Sequence, residues 1–241
     1  MARHTLSLSL FLLAFLTLLG LGFWQVERQE WKDSIITALQ HEYQKDPDKN
    51  IYLFKELKAL NQEELPLRYG QSLGRFFYDR EILLGPKTSN DTIGYLIITP
   101  LKLRNGGYVL VNRGWIAQSN IDKIRQDDQK GNVTVTGIFR KPDWNYFTPG
   151  NSPQNDIWMK PDIHDIARAK SLKPIAPVIL YATTNEDQPD QMALIQPQSA
   201  KWYPRNKHKQ YAVFWFAMAI ILVIFLGAFV FEEKRKRKTK A

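Results

Sequence analysis

His208, Tyr211, Ala212 and Trp215 recur at i, i+3, i+4 and i+7, so a helix carries them on one face. Near the other end of the chain Trp24, Arg28 and Trp31 share one side of a second helix. Two such faces could hold a flat, amphipathic ligand. The imidazole would bind iron, the rings would stack, Ala212 would permit close approach, and Arg28, Arg205 or Lys209 would pair with carboxylates. The same residue types also suit a membrane boundary, where Trp and Tyr form belts and Lys and Arg reach for water. Spacing alone leaves both readings open.

What would position these faces is a pair of uncharged apolar runs, Leu6 to Trp24 and Tyr211 to Phe231. At about 1.5 Å per residue each covers roughly 30 Å, the thickness of a bilayer hydrocarbon core. The first run exceeds the usual signal-peptide core of about 7 to 15 residues, and no A-x-A site follows it, so an uncleaved anchor is expected. Lys234, Arg235, Lys236, Arg237, Lys238 and Lys240 close the chain, and such a basic cluster stays cytoplasmic. With the short N-terminus there too, the loop of about 180 residues between the spans lies outside the cytoplasm. The expected order is therefore a transmembrane helix at 5–25, an extracytoplasmic domain at 26–207, a transmembrane helix at 211–231 and a basic cytoplasmic tail at 232–241. In that hairpin the two candidate faces meet at the outer leaflet. Because the first run begins almost at Met1, with no presequence, a bacterial plasma membrane and a periplasmic domain are expected.

The segment after the first span keeps helical spacing through Val26, Trp31, Ile35 and Leu39, until Asp46-Pro47-Asp48 stops it. A short helix is expected over 52–60. From Gly70 onward, runs rich in Ile, Val, Leu and aromatics at 73–78, 94–103, 108–116, 133–140 and 177–182 predict strands, with a helix at 163–169 and a loop at 185–197. Arg104-Asn105-Gly106-Gly107 offers the positive-φ residues of a tight hairpin, so its flanking strands should pair antiparallel. Strict alternation then sets Val109, Val111, Arg113 and Trp115 on one face. Arg113 beside Trp115 reads either as a guanidinium packed on an indole or as an anchor facing a partner. The fold expected is thus two transmembrane helices plus an antiparallel, β-rich α+β outer domain.

The net charge of +9 divides into +4 from the tail, +1 from Arg3 and +4 for the rest, too mild a balance for nucleic acid. The tail is explained as a topology signal that also meets anionic lipid. Absence of cysteine removes thiolate metal sites, disulfides and thiol redox chemistry, and with only four Met it argues against copper delivery. No H-E-x-x-H, G-x-S-x-G or phosphate-binding glycine loop is present, which argues against an enzyme.

Four ordered motifs carry a resemblance to the Surfeit-one (Surf1-like) family, which assists assembly of cytochrome c oxidase. Gly22-Phe23-Trp24-Gln25-Val26-Glu27-Arg28 with Lys32 resembles the family's G-x-W-Q-x-x-R-x-x-x-K at the exit of the first span. Thr99-Pro100-Leu101 and Val111-Asn112-Arg113-Gly114-Trp115 resemble its central T-P-L and V-N-R-G-W. Phe147-Thr148-Pro149-Gly150-Asn151, then Trp158 and Asp162, is similar to its F-x-P-x-N stretch with the W and D that follow. Asn206-Lys207-His208-Lys209-Gln210-Tyr211-Ala212 with Trp215-Phe216 resembles N-N-H-L-Q-Y-A-x-T-W-F at the second span, with Lys207, Lys209 and Phe214 as departures.

The resemblance implies a non-enzymatic inner-membrane factor whose partners are oxidase subunit I and the haem a synthesis machinery. It also implies haem a as a cofactor, with His208 as the iron ligand and Tyr211, Trp215, Trp24 and Arg28 lining the site. Arg113 and Trp115 are the candidate partner-binding residues. Two alternatives stay open: a scaffold that stabilises subunit I without haem, and a membrane-anchored enzyme.

Overall fold

The computed structural model describes residues 2–60, 67–124, 131–184, 194–197 and 203–239. It divides into two units, one of residues 1–37 with 203–241 and one of residues 38–202.

The first unit is a helix pair. Helix α1 (Ala2–Glu42) runs unbroken from the apolar segment into the charged one, as the spacing predicts. Its partner (His208–Thr239), labelled α5 below, carries the second apolar run and the start of the basic tail. Both are long and apolar enough to cross a membrane, and only 6% of each apolar window is buried. A core helix of a water-soluble domain would be mostly covered; here apolar side chains such as Leu13, Phe23, Val213 and Phe225 lie open.

The second unit is a β-barrel with short helices on it. Its strands are β1 (Arg68–Phe76), β2 (Ile82–Ser89), β3 (Thr92–Leu103), β4 (Tyr108–Ala117), β5 (Val133–Arg140), β6 (Ile175–Thr184) and β7 (Ile195–Gln196). Its helices are α2 (Phe54–Ala59), α3 (Ile121–Ile124) and α4 (Ile163–Ala169). Strands β3, β1, β5, β6 and β4 pair in that order and β4 returns to β3, which closes a ring of five. β2 extends the sheet beside β3 and β7 beside β4. A closed ring with an odd number of strands cannot reverse direction at every step, so at least one neighbouring pair must run parallel. That pair is β4 with β6; among the described residues every other pairing between these strands is antiparallel. The ring has the strand count of an OB-type barrel.

The inside is apolar. Phe76, Leu101, Leu103, Val109, Val111, Val135, Phe139, Val178 and Leu180 form its core, with Leu57 of α2 and the adjacent Leu60 added to it. Glycines allow the strands to close. A Cβ on Gly137 would stand 2.2 Å from the Tyr181 carbonyl oxygen, and one on Gly74 2.2 Å from that of Lys102.

Strand β2 was not expected, because Gly85-Pro86 interrupts its run. The structure puts that proline in a register shift between Leu84 and Lys87 on an outer strand, where no ladder donor is needed. β7 lies within the segment expected to be a loop, whose residues 185–193 fall outside the described ones.

The alternation predicted for β4 is also corrected. Opposite Ile97 and Ile98 the strand carries one extra residue, Arg113, between Asn112 and Gly114. A bulge flips the facing of all that follows. Val109 and Val111 point into the barrel core, whereas beyond the bulge it is Ile116, not Trp115, that joins a buried cluster, with Ile97, Ile124 and Ile195.

Candidate functional site

Gly22 brings α1 and α5 close. A Cβ there would lie 2.6 Å from the ring of Phe216, and Phe23 packs edge-on to the same ring at 5.4 Å. On α5 the small residues Ala212 and Ala219 are buried, which is how helices pack where lipid removes the hydrophobic drive between them. Polar groups follow toward the charged end. His208 Nδ1 lies 2.6 Å from the Gln25 amide oxygen. Asn206 donates through Nδ2 to Asp33 Oδ1 at 2.8 Å and to the Gln29 carbonyl at 3.3 Å, while its own oxygen accepts from His208 N at 3.3 Å. Gln29 Nε2 donates to Asp33 Oδ2 at 3.3 Å. These contacts begin α5 by tying its first residues to α1, replacing water for groups near the end of an apolar span.

The structure pairs His208 with Gln25 rather than with Trp24 or Arg28. On α1 the residues turned to α5 are Gly22, Gln25 and Gln29, at 3- and 4-residue spacing, and Trp24, Arg28 and Trp31 form the stripe beside them. Trp24 and Tyr211 are exposed, Trp215 is half-buried with its ring 5.2 Å from that of Phe214, and the Arg28 guanidinium stacks 3.8 Å from the Trp31 ring centroid. Trp24 and Tyr211 are therefore open, Arg28 and Trp215 pack on neighbouring rings, and the imidazole is half-buried. Sequence reasoning passed over Gln29 and Asp33. Their signal was the Gly22, Gln25, Gln29, Asp33 spacing, a small and polar stripe on an otherwise apolar or charged helix.

Arg113 and Trp115 part company in the barrel. Arg113 is 2% exposed and its Nη1 lies 3.1 Å from Glu81 Oε2, which also accepts from the buried Thr99 hydroxyl. Its guanidinium sits 5.2 Å from the Tyr78 ring and 5.6 Å from that of Phe76. Half-buried Trp115 donates Nε1 to the Lys87 carbonyl at 3.0 Å and covers Gly94, where a Cβ would meet the indole at 2.5 Å. Asn112 Oδ1 accepts from Gly114 N at 3.0 Å and holds the bulge. Gly114 has φ +129° and lies so close to Gln196 that a Cβ would be 2.3 Å from its carbonyl. Each residue of Asn112-Arg113-Gly114-Trp115 thus has a task in shaping this corner of the barrel.

The third motif begins on the exposed Phe147, but its later residues make contacts within the fold. Asn151 accepts from the backbone of Met159 and Lys160 and donates to the Lys160 carbonyl; buried Trp158 donates to Asp156; Asp162 caps α4 through the amides of His164 and Asp165. Among the described residues no three His, Cys, Asp or Glu side chains gather as a metal site.

The SURF1 family model matches residues 12–220. A SURF1-like protein of Drosophila melanogaster is 30% identical over 84% of this chain and 70% of its own length. A SURF1-like protein of Rickettsia felis is 26% identical over 88% of this chain and 92% of its own. The cytochrome oxidase assembly protein SHY1 of Saccharomyces cerevisiae is 29% identical over 67% of this chain and 43% of its own.

Proposed function

Because this chain belongs to the SURF1 family, we propose that it is a membrane-anchored, non-enzymatic assembly factor for cytochrome c oxidase, and that His208 holds the iron of haem a while subunit I matures. The name of the yeast relative supports the role in oxidase assembly. The observation that carries the haem reading is the half-buried imidazole of His208, fixed through one nitrogen at the start of α5. A lone, held imidazole suits haem, which needs one axial ligand, better than a bare ion, which needs several. Haem a in that place would supply the iron; the chain's own residues bind and orient it. Trp24, Tyr211 and Trp215 offer rings, and Arg28, Lys207 and Lys209 offer charge for carboxylates. In this reading the termini are cytoplasmic, the barrel is periplasmic, and the site stands at the outer surface of a bacterial plasma membrane, within reach of subunit I and the haem a synthesis machinery.

A scaffold without haem is the second reading. It is favoured by a turn after β5 on which Tyr146 and Phe147 are exposed, their rings 5.4 Å apart, with Asn145 Oδ1 accepting from Phe147 N to hold the turn. An ordered pair of rings in water suits a docking surface.

Optical spectra separate the two. Purified from cells that make haem a, the parent should carry a haem spectrum that His208→Ala abolishes or shifts without loss of membrane insertion. Arg28→Ala should weaken binding less, since a charge pair near water contributes about 1 kcal/mol or less. An unchanged spectrum in the His208 variant would leave the scaffold as the better account.

A further inference from the structure

We infer that Gln25 is the positioning residue for His208: it holds the imidazole in the tautomer whose Nε2 has no proton and can bind metal. The ligand in this inference rests on the haem reading above; the tautomer rests on the helix pair alone. Gln25 is 9% exposed, in a stretch of α1 whose other polar residues are mostly open. Its amide oxygen lies 2.6 Å from His208 Nδ1. An amide oxygen accepts a hydrogen bond and cannot donate one, so Nδ1 must carry the proton. A neutral imidazole has a single N–H, which leaves Nε2 with its lone pair. Among the described residues no hydrogen bond to Nε2 is found. Metal-binding histidines take this arrangement, one nitrogen on the metal and the N–H of the other on a fixed acceptor.

The neighbouring contacts separate orientation from anchorage. Asn206 ties the start of α5 to Asp33 and to the Gln29 carbonyl, and Gly22 seats the Phe216 ring, all without Gln25. Loss of the Gln25 oxygen therefore frees the ring to rotate and change tautomer while the helices stay paired. Gln25→Leu keeps much of the volume and removes the acceptor. Gln25→Glu puts an acceptor back.

The experiment uses the full chain in lipid nanodiscs with 15N-labelled histidine; four histidines are present, and His208→Ala assigns the signal of interest. In the parent His208 should show a protonated Nδ1 and a bare Nε2. Gln25→Leu should lose that signature with helicity unchanged, and Gln25→Glu should restore it. Titration with ferric haem a should follow, about 10- to 100-fold weaker for Gln25→Leu and near the parent for Gln25→Glu. A parent with its proton on Nε2 would overturn the inference. So would a Leu variant with the parent's tautomer and affinity, or a Glu variant as weak as the Leu one, since Gln25 would then act by packing. A parent that binds no haem sinks the haem reading, while the nitrogen spectra still decide the tautomer.

Discussion

Replacing Glu81 with alanine should destabilise the barrel more than replacing Arg113 with leucine. The pair is 3.1 Å apart, but its members are unequally covered: the Arg113 side chain is 2% exposed and that of Glu81 15%. Glu81→Ala leaves the guanidinium inside without this carboxylate, and removing one partner of a buried pair costs about 3–5 kcal/mol. The wholly buried Thr99 also loses the acceptor of its hydroxyl, adding about 1–3 kcal/mol. Arg113→Leu leaves behind a carboxylate that keeps Thr99 and is open enough to hydrate. Its loss is the guanidinium over the Tyr78 and Phe76 rings and an ion pair whose carboxylate water still reaches, roughly 2–3 kcal/mol together. At about 2–4 °C per kcal/mol for a domain of this size, losses of about 4–8 kcal/mol in the first variant and about 2–3 in the second should lower Tm by about 8–32 °C and about 4–12 °C respectively. Thermal unfolding of the full chain in detergent micelles, followed by near-ultraviolet circular dichroism, reads both; membrane abundance and co-purification with the oxidase are measured in parallel. The reasoning is refuted if Arg113→Leu matches the parent in Tm and abundance yet no longer co-purifies, because the guanidinium would then serve a partner. The opposite ranking of the two variants would refute the burial argument.

Gly137→Ala should abolish or severely deplete the folded barrel, since its Cβ would stand 2.2 Å from a backbone carbonyl, whereas Gly131→Ala, which meets nothing within 4 Å, should leave abundance unchanged in a membrane immunoblot. Burial pushes the Tyr181 hydroxyl above its ordinary 10.0, with the Arg140 guanidinium pulling it down and Asp143 adding to the rise. The folded chain thus keeps this proton after the unfolded chain has lost it. Stability should fall as pH rises above about 10, and Tyr181→Phe should flatten that part of a urea-unfolding pH series. A reporter fused to the C-terminus should be active only in the cytoplasm, and one inserted at the exposed Asn105-Gly106 turn only outside it; the reverse pattern would overturn the proposed orientation.

The two spans, the helix that continues to Glu42, the Gly106-Gly107 hairpin and helix α4 were all legible in the sequence, because each is set by local pattern: apolar length, 3.6-residue spacing, positive-φ residues, an Asp cap. His208 was legible as well, as an imidazole at the start of an apolar helix. Other features depend on residues far apart in the chain. Barrel closure needs β6 to pair with β4 and β5 together, and the parallel pair follows from the odd count, which no segment carries. Strand β2 hides behind a proline that is tolerated because it falls in the register shift between Leu84 and Lys87, at the edge of the sheet. One extra residue in β4 sends Arg113 to Glu81 and turns Trp115 toward Gly94, against strict alternation. At the helix pair the sequence supplied the residue types, but which stripe of α1 faces α5 was decided in three dimensions. A glycine that admits a phenylalanine ring, and a glutamine that finds an imidazole instead of lipid, turn Gly22 and Gln25 inward, while Trp24 and Arg28 keep the water they favour at a membrane edge.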